Sequence, residues 1–403
     1  MRVVVADKFP EKYITELQNL NLDVIYNPKL GADDLVDAAK NASIVIVRST
    51  VVNEACIKNS DELSLIIRAG AGVNNIDLKA ASAKGIYVAN CPGKNSIAVA
   101  ELAMGLILAI DRKIPDNVID FRNGKWNKAT YSKADGLLGK KLGIIGTGKI
   151  GQELIKRAQS FGIEVFAWSR SLTPERAAEI GVNHCKRIED LVDVVDIVSV
   201  HLALKPDTKG IISKAVIERM KPGTIFINTA RAEVVDEDAL VKAVKDGKIR
   251  AGLDVFDDEP EQKEGDFSST LQNIENIYVT HHIGASTEQA QNAVAADAVS
   301  IVREYVSQGQ VRNWVNRCET TDAEWQLVVR HYDKPGVLAN VMTVLKEGNI
   351  NAEELENVIF DGKIAACCTI QLDNKPTDAM LEKIRSRSDE VISATLINLN
   401  SNI

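Results

Sequence analysis

The sequence has no apolar run long enough to cross a bilayer. Its longest, Val99 to Ile110, is interrupted by Glu101, falls short of the roughly 20 residues a spanning helix needs, and reads as a buried helix. A basic excess is also missing: the formal net charge of -8 argues against a general affinity for nucleic acid or an anionic membrane, since either requires a dense basic face. The start, MRVVVADKFP, is a short apolar strand followed by charge, without the basic opening and long apolar stretch of a signal peptide, and points to a cytoplasmic protein. Cys56, Cys91, Cys185, Cys318, Cys367 and Cys368 show neither CxxC nor Cys/His metal spacing, so no metal is expected and the thiols read as small apolar residues kept reduced. Tracts of Pro, Ser or Gly are absent as well, which excludes a long disordered arm.

What is present is a globular composition, 45% hydrophobic and 26% charged, over 403 residues. That length exceeds what one core usually organises, so two or three domains are expected. Up to about residue 90, β-branched runs (RVVVA, LDVIY, SIVIVRS, SLIIRAG, GIYVAN) alternate with helical stretches, the pattern of βαβ units around a parallel sheet. A long helix follows from Ser96 to Lys113, with Ser96 as its N-cap. A second series runs KKLGIIG, EVFAW, DIVSVHLA, GTIFINTA, IRAGLDVF and NIYVTHHIG, with helical stretches such as Asp238 to Lys245 between. The expected architecture is therefore α/β, with two doubly wound Rossmann-like domains.

Between Ser286 and Gln308, Ala290, Ala293, Val294, Ala298, Ile301, Val302 and Tyr305 share one face of an amphipathic helix able to return the chain to the first module. Arg312 to Ala323 is polar and aperiodic and reads as a linker. Beyond it come the strand WQLVVRH, a helix with Leu338, Val341, Met342 and Leu345 on one face, and a hairpin turning at Asp361-Gly362 between VIF and IAACCTIQL. A helix from Thr377 to Arg387 and a last strand, VISATLINL, complete the order βαββαβ of a ferredoxin-like unit.

Chemistry enters with LGIIGTGKIGQELIKRA, which sets Gly146, Gly148 and Gly151 in GxGxxG spacing after a strand and at the start of a helix. The first glycine permits the tight turn, the second lets backbone approach a pyrophosphate, and the third allows close helix-to-strand packing. The next strand, EVFAW, would end in an acid if it bound a free ribose diol. It is followed instead by Ser169, Arg170 and Ser171. Ser169 and Arg170 suit the 2′-phosphate of NADP, or else Arg170 is a solvated charge and NAD is bound without that acid. Three later segments carry the polar groups hydride transfer needs: Arg231 in INTARAEVVD, Asp254 and Glu259 in AGLDVFDDEP, and His281 and His282 in THHIGAST. An arginine can anchor a carboxylate and polarise a carbonyl, a histidine can donate the proton, and a carboxylate can orient the imidazole and stabilise its charged form. The proposed pair is Glu259 with His282. His184 and His201 read as structural.

With GTGKIG, NTAR, GLDVFDDEP and HHIGAST in this order, preceded by VRST, RAGAGVNNID, CPGKNSIAVAEL and GKW, the chain resembles the D-isomer-specific 2-hydroxyacid dehydrogenases. The resemblance implies Arg231, Glu259 and His282 as catalytic residues, and Lys149, Ile150, Leu202, Thr229, Ala230, Asp254 and Gly284 as cofactor contacts beside the glycine loop. It implies a loop for the substrate carboxylate at Ala69, Gly70, Ala71 and Gly72, and, for a phosphorylated substrate, Arg48, Arg68 and Asn95, with Lys128 or Lys133 as a further cation. It also implies a substrate domain at 1–98 and 284–316, a dinucleotide domain at 99–283, and a homodimer or homotetramer. The tail, 324–403, resembles an ACT domain, with His331, Asp333 and Asn351 at the positions that bind an amino-acid effector such as serine. The activity implied is oxidation of 3-phospho-D-glycerate with NAD or NADP. Glyoxylate or hydroxypyruvate reduction is the alternative, and a nucleotide-sensing corepressor is the reading from another class, against which the acidic charge and the regulatory tail both argue. The chain departs from the pattern at Ser169, at Ala232 in place of a glycine, and at His281 in place of a proline, so His281 competes with His282 as the acting histidine.

Overall fold

A computed structural model describes residues 1–260, 265–318 and 320–400. The chain divides into two compact units, 1–316 and 317–403. Position 319 of the expected linker and the last three residues of the tail lie outside the described residues.

The first unit holds two parallel sheets. One contains β1 (Arg2–Val5), β2 (Asp23–Tyr26), β3 (Ile44–Val47), β4 (Leu65–Arg68) and β5 (Tyr87–Asn90), in the order β2-β1-β3-β4-β5. Its strands are apolar on both sides because both faces are covered: Val3 and Val5 enter one core with Ile44 and Ile46, while Val4 enters the opposite core with Val45 and Val47. The other contains β6 (Lys141–Ile145), β7 (Glu164–Trp168), β8 (Asn183–His184), β9 (Ile197–Val200), β10 (Thr224–Asn228), β11 (Ile249–Leu253) and β12 (Ile277–Val279). Its order is β12-β11-β10-β9-β6-β7-β8. In sheets of this kind the strand order reverses at one point and leaves a crevice at the carboxyl ends, between β1 and β3 in the first and between β6 and β9 in the second. Only the edge strand β8 had no signal in the sequence, being two residues long.

Two long helices link the sheets. The helix Ser96–Arg112 packs Ala103, Ile107 and Ile110 into the core of the second sheet. Ser96 is not its cap: Asn95 stands at that position, neither side chain caps the first turn, and the Ser96 hydroxyl is buried without a hydrogen-bond partner. The helix Glu288–Gln308, capped by the Thr287 hydroxyl, returns to the first sheet as expected. Its buried face is wider than the apolar stripe, because Ala295, Val299 and the ion-paired Asp297 are buried too, whereas Ala293 and Tyr305 are only partly so.

The linker expectation needs correction at its start. Arg312 to Asn316 belong to the first unit: Trp314 bridges Ala89, the Val315 N–H donates to Val88 O, and the Val88 N–H donates to the Asn316 side chain. An irregular strand held by long-range pairing has no periodicity to reveal it.

The second unit forms an antiparallel sheet of β13 (Trp325–Tyr332), β14 (Ala352–Ile359), β15 (Ala365–Leu372) and β16 (Val391–Asn398), in the order β14-β15-β13-β16. The helices Val337–Glu347 and Asp378–Arg385 complete the βαββαβ order. The first helix buries Val337, Val341, Val344 and Leu345, so its stripe is rotated from the one expected, with Leu338 and Met342 at its margin. The hairpin connection between strand ends spans 360–364 rather than two residues, and Gly362 takes the left-handed φ of 85° that the turn requires.

Candidate active site

The crevice between β6 and β9 is lined by Gly146, Gly148, Ser169, Arg170, His201 and Leu202, and has a volume of about 400 Å³. Gly146 has φ 104°, and a Cβ there would lie 2.5 Å from His201 O; one on Gly151 would lie 2.2 Å from Gly146 O. Both contacts are with backbone that cannot yield, so the tight turn at Gly146 and the close helix packing at Gly151 admit only glycine. A Cβ on Gly148, in contrast, would meet no protein atom within 4 Å, which leaves that backbone open to a pyrophosphate. Gly148 stands at the N-cap of Lys149–Ser160, so the first turn, with Lys149 and Ile150, points its free N–H groups at the crevice. Lys149 Nζ reaches the carbonyl of Pro92, 3.2 Å away. Ser169 and Arg170 follow β7 as expected. Arg170, however, is ion-paired with Asp207 in the loop after β9, a partner with no signal in the sequence. His201 is buried beside the Ser199 hydroxyl, and burial pushes its imidazole down to about 4, leaving it neutral.

Deeper in the site, Asp254 is buried and accepts from the Thr280 hydroxyl at 2.6 Å and from the N–H groups of Ile283 and Gly284 at 2.8 Å. A carboxylate so satisfied anchors the segment that carries His282. Thr229 Oγ1 and Asn95 Oδ1 are buried with no hydrogen-bond partner, as groups awaiting a ligand would be. The Ala230 N–H is held by Asn228 Oδ1 at 3.0 Å. These groups and the glycine turn fit a dinucleotide.

A second cleft, about 500 Å³, brings together Arg48, Arg68, Gly72, Arg231, Glu259 and His282. His282 Nδ1 lies 2.8 Å from Glu259 Oε2, and the other Glu259 oxygen accepts from the Phe256 N–H at 3.2 Å. The carboxylate can only accept, so Nδ1 carries the hydrogen and Nε2 is the nitrogen left for chemistry. His281 lines an adjoining hollow, which Glu259 and His282 also line, but it does not line the arginine cleft, and it is His282 that is bonded to Glu259.

The loop Ala69, Gly70, Ala71, Gly72 runs under the arginines. A Cβ on Gly70 would strike the Arg68 guanidinium and one on Gly72 would lie 2.4 Å from Arg231 Nη2, so both glycines make room for cations. Arg68 donates to Arg48 O at 3.1 Å, and is pulled down to about 10 by burial first and then by the charges of Arg231 and Arg48. Arg48 also approaches Ser286 Oγ, at 3.4 Å. Asn95 lines a small hollow with Lys8, Arg48, Arg68 and Gly70.

Several residues here escaped the sequence reading. Buried Asp7 accepts from the N–H groups of Arg48, Ser49 and Thr50 within 2.9 Å and so fixes the Arg48 loop. Lys8, Asn74 and Asn75 also line these hollows. An acid ending β1 was the available signal for Asp7. Lys128 and Lys133 do not line the cleft; they lie on an exposed segment. In the tail, His331 and Asn351 sit at opposite ends of the sheet: His331 pairs with Ala366, whereas Asn351 precedes Ala352, which pairs with Leu372 at the far end. The His331 ring nitrogens lie 2.8 Å from Tyr332 O and 3.1 Å from Asn357 Oδ1. Asp333 gives its N–H to Ile364 O. A single chain therefore does not gather the three expected effector residues. Among the described residues no group of three or more His, Cys, Asp or Glu could hold a metal, and no helix is long and apolar enough to cross a membrane.

A glycine turn at the β6/β9 crevice and a carboxylate-held histidine facing arginines define a dinucleotide-dependent oxidoreductase acting on an anion. Residues 104–284 match the profile of the D-isomer specific 2-hydroxyacid dehydrogenase, NAD binding domain. The chain is 34% identical over its whole length to the D-3-phosphoglycerate dehydrogenase of Methanocaldococcus jannaschii, covering 75% of that protein. It is 39% identical over 74% of its length to the hydroxypyruvate reductase of Thermotoga maritima, covering 96% of it. The NAD+-bound 3-phosphoglycerate dehydrogenase of Entamoeba histolytica superposes with a TM-score of 0.66 at 28% identity, covering 79% of this chain and 99% of that one. The chain belongs to the D-isomer specific 2-hydroxyacid dehydrogenases.

Proposed function

We propose that this enzyme oxidises 3-phospho-D-glycerate to 3-phosphohydroxypyruvate, or catalyses the reverse, in serine biosynthesis. The observation that carries the reading is the convergence of Arg48, Arg68 and Arg231 on one cleft, where burial first, and then the charges of Arg231 and Arg48, lower the pKa of Arg68. Cations held against one another await an anion, and a substrate with a carboxylate and a phosphate suits three guanidinium groups better than glyoxylate does. Relatives named D-3-phosphoglycerate dehydrogenase, matched over the full length of this chain, support the same choice.

In this reading 1–98 and 284–316 form the substrate domain and 99–283 the dinucleotide domain. A bound nicotinamide, NAD or NADP, supplies or accepts the hydride at C2. The Ala69 and Gly70 N–H groups already donate to Val47 O and Arg68 O, so the Ala71 and Gly72 N–H groups of the 69–72 loop, with Arg231, hold the substrate carboxylate, and Arg231 also polarises the C2 oxygen. In oxidation His282 Nε2 takes the hydroxyl proton as the hydride leaves C2; in reduction it returns that proton to the oxygen. Glu259 orients the ring through Nδ1. Arg48, Arg68 and Asn95 are assigned to the phosphate end.

The test compares wild type and Arg48→Ala on phosphohydroxypyruvate, hydroxypyruvate and glyoxylate. Wild type should turn over the phosphorylated acid best. Losing one charge-assisted contact, about 2 kcal/mol, should raise its KM by roughly 30-fold. The unphosphorylated acids should change less than about threefold, and equal effects on all three would remove the phosphate role.

The tail is read as an ACT-like regulatory domain whose effector residues His331, Asp333 and Asn351 come together only between subunits, because one chain separates them. Phe121, Trp126 and Leu138, exposed by 69%, 83% and 86%, are apolar surface suited to a second copy. Wild type should sediment as a homodimer or homotetramer inhibited by serine, and Trp126→Glu as a smaller species.

A further inference from the structure

We propose that Asp207 selects the cofactor: from the loop after β9 it engages Arg170 and turns away a 2′-phosphate, so that the site favours NAD over NADP. The inference rests on the reading of the β6/β9 crevice as the dinucleotide site.

β7 ends without the acid that would receive a ribose diol, and its successors Ser169 and Arg170 look, taken alone, like a phosphate cradle. Arg170 is the only cation among the residues lining the crevice, His201 being neutral. That cation is already matched, because its guanidinium is paired with the Asp207 carboxylate. The carboxylate is delivered by a loop with a fixed shape. Buried Thr208 donates its hydroxyl to Ala203 O at 2.7 Å and receives the Lys205 N–H at 2.8 Å, closing the turn on which Asp207 stands. Lys205, Asp207 and Lys209 are all exposed and outside the crevice lining, so Asp207 acts there through Arg170, which does line it.

A 2′-phosphate entering here would have to take Arg170 from its partner and then lie beside an uncompensated carboxylate. A ribose 2′-hydroxyl carries no charge and leaves the Arg170–Asp207 pair intact. The acid missing from the end of β7 is thus replaced by one on a different strand's loop, which acts through Arg170. Freed from its partner, the Arg170 guanidinium would make one charge-assisted contact with a 2′-phosphate, strengthening its binding by about tenfold.

The experiment measures NAD+ and NADP+ dissociation constants by calorimetry on the full chain, without substrate, for wild type, Asp207→Asn and the double variant Arg170→Ala/Asp207→Asn. Asp207 is on the surface, so both variants should fold, which thermal melting checks. Wild type should bind NAD+ more tightly. Asp207→Asn should shift the NADP+/NAD+ affinity ratio toward NADP+ by about tenfold, and the shift should vanish in the double variant, because Arg170 produces it. A wild-type preference for NADP+, an unchanged ratio in Asp207→Asn, or a shift that survives in the double variant overturns the inference while leaving the dinucleotide site standing. Failure of wild type to bind either dinucleotide overturns the site reading and the inference together.

Discussion

Replacing His282 with alanine should lower kcat by about 10³-fold, the scale of a lost general acid–base group, with the dissociation constants of the dinucleotides unchanged. The assignment follows from which of two adjacent histidines is held. His282 Nδ1 is bonded to Glu259 at 2.8 Å and the residue lines the arginine cleft, whereas His281 is absent from that cleft and only shares the adjoining hollow. His281→Ala should therefore cost less than about threefold, since neither proton transfer nor ring orientation depends on it. One structural effect must be separated from the chemical one. His282 has φ 49°, in the left-handed region, where alanine costs roughly 1 kcal/mol. Asparagine tolerates that region, so His282→Asn keeps the backbone and removes only the proton carrier. Equal loss in both variants, with melting temperatures near wild type, would assign the effect to chemistry. A His282→Asn enzyme retaining more than a tenth of wild-type kcat would refute the role. Glu259→Gln should fall between, because the amide still reaches Nδ1 but no longer stabilises a charged ring.

The second large effect is expected at Arg231. Its guanidinium lies over Gly72, and Nη1 is tied to Ala230 O at 2.6 Å, which presets its direction before substrate arrives. Arg231→Ala should lower kcat/KM for every 2-oxo acid by about 10³-fold, near 4 kcal/mol, because both the carboxylate anchor and the carbonyl polariser are lost. Arg231→Lys should recover little of this, since an ammonium on a flexible stem cannot present the fixed fork. The comparison with Arg48→Ala is informative. The Arg231 variant should fail on phosphorylated and unphosphorylated acids alike, and the Arg48 variant should discriminate between them. Gly72→Ala offers an independent check through the same side chain, because the new Cβ would press on Arg231 Nη2 without removing any charge.

Parts of this site were legible because their chemistry is local. The Gly146–Gly151 turn needs only a strand, a tight turn and a helix start in succession, and the contact that excludes a Cβ on Gly151, with Gly146 O, arises within that unit, although the one at Gly146 is with His201 O at the end of β9. The apolar runs of β1, β3 and β4 are continuous because both sheet faces are covered, and that pattern is readable without knowing what covers them. Other parts depend on partners far along the chain. Asp7 builds the Arg48 loop from 41 residues away, and Arg312 to Asn316 resemble a linker until β5 is there to pair with them. Ser96 looked like a cap because hydroxyls cap helices, yet the preceding residue took the position and left the Ser96 hydroxyl buried.

For this protein, residue order alone determined the α/β class, the dinucleotide turn, the βαββαβ tail and the catalytic candidates, since periodicity and motif spacing are properties of neighbouring residues. Only the tertiary structure decided which histidine Glu259 holds, which cations share a cleft, and that Arg170 faces a carboxylate. Those are distances between side chains set by packing of separate strands, and no spacing along the chain encodes them.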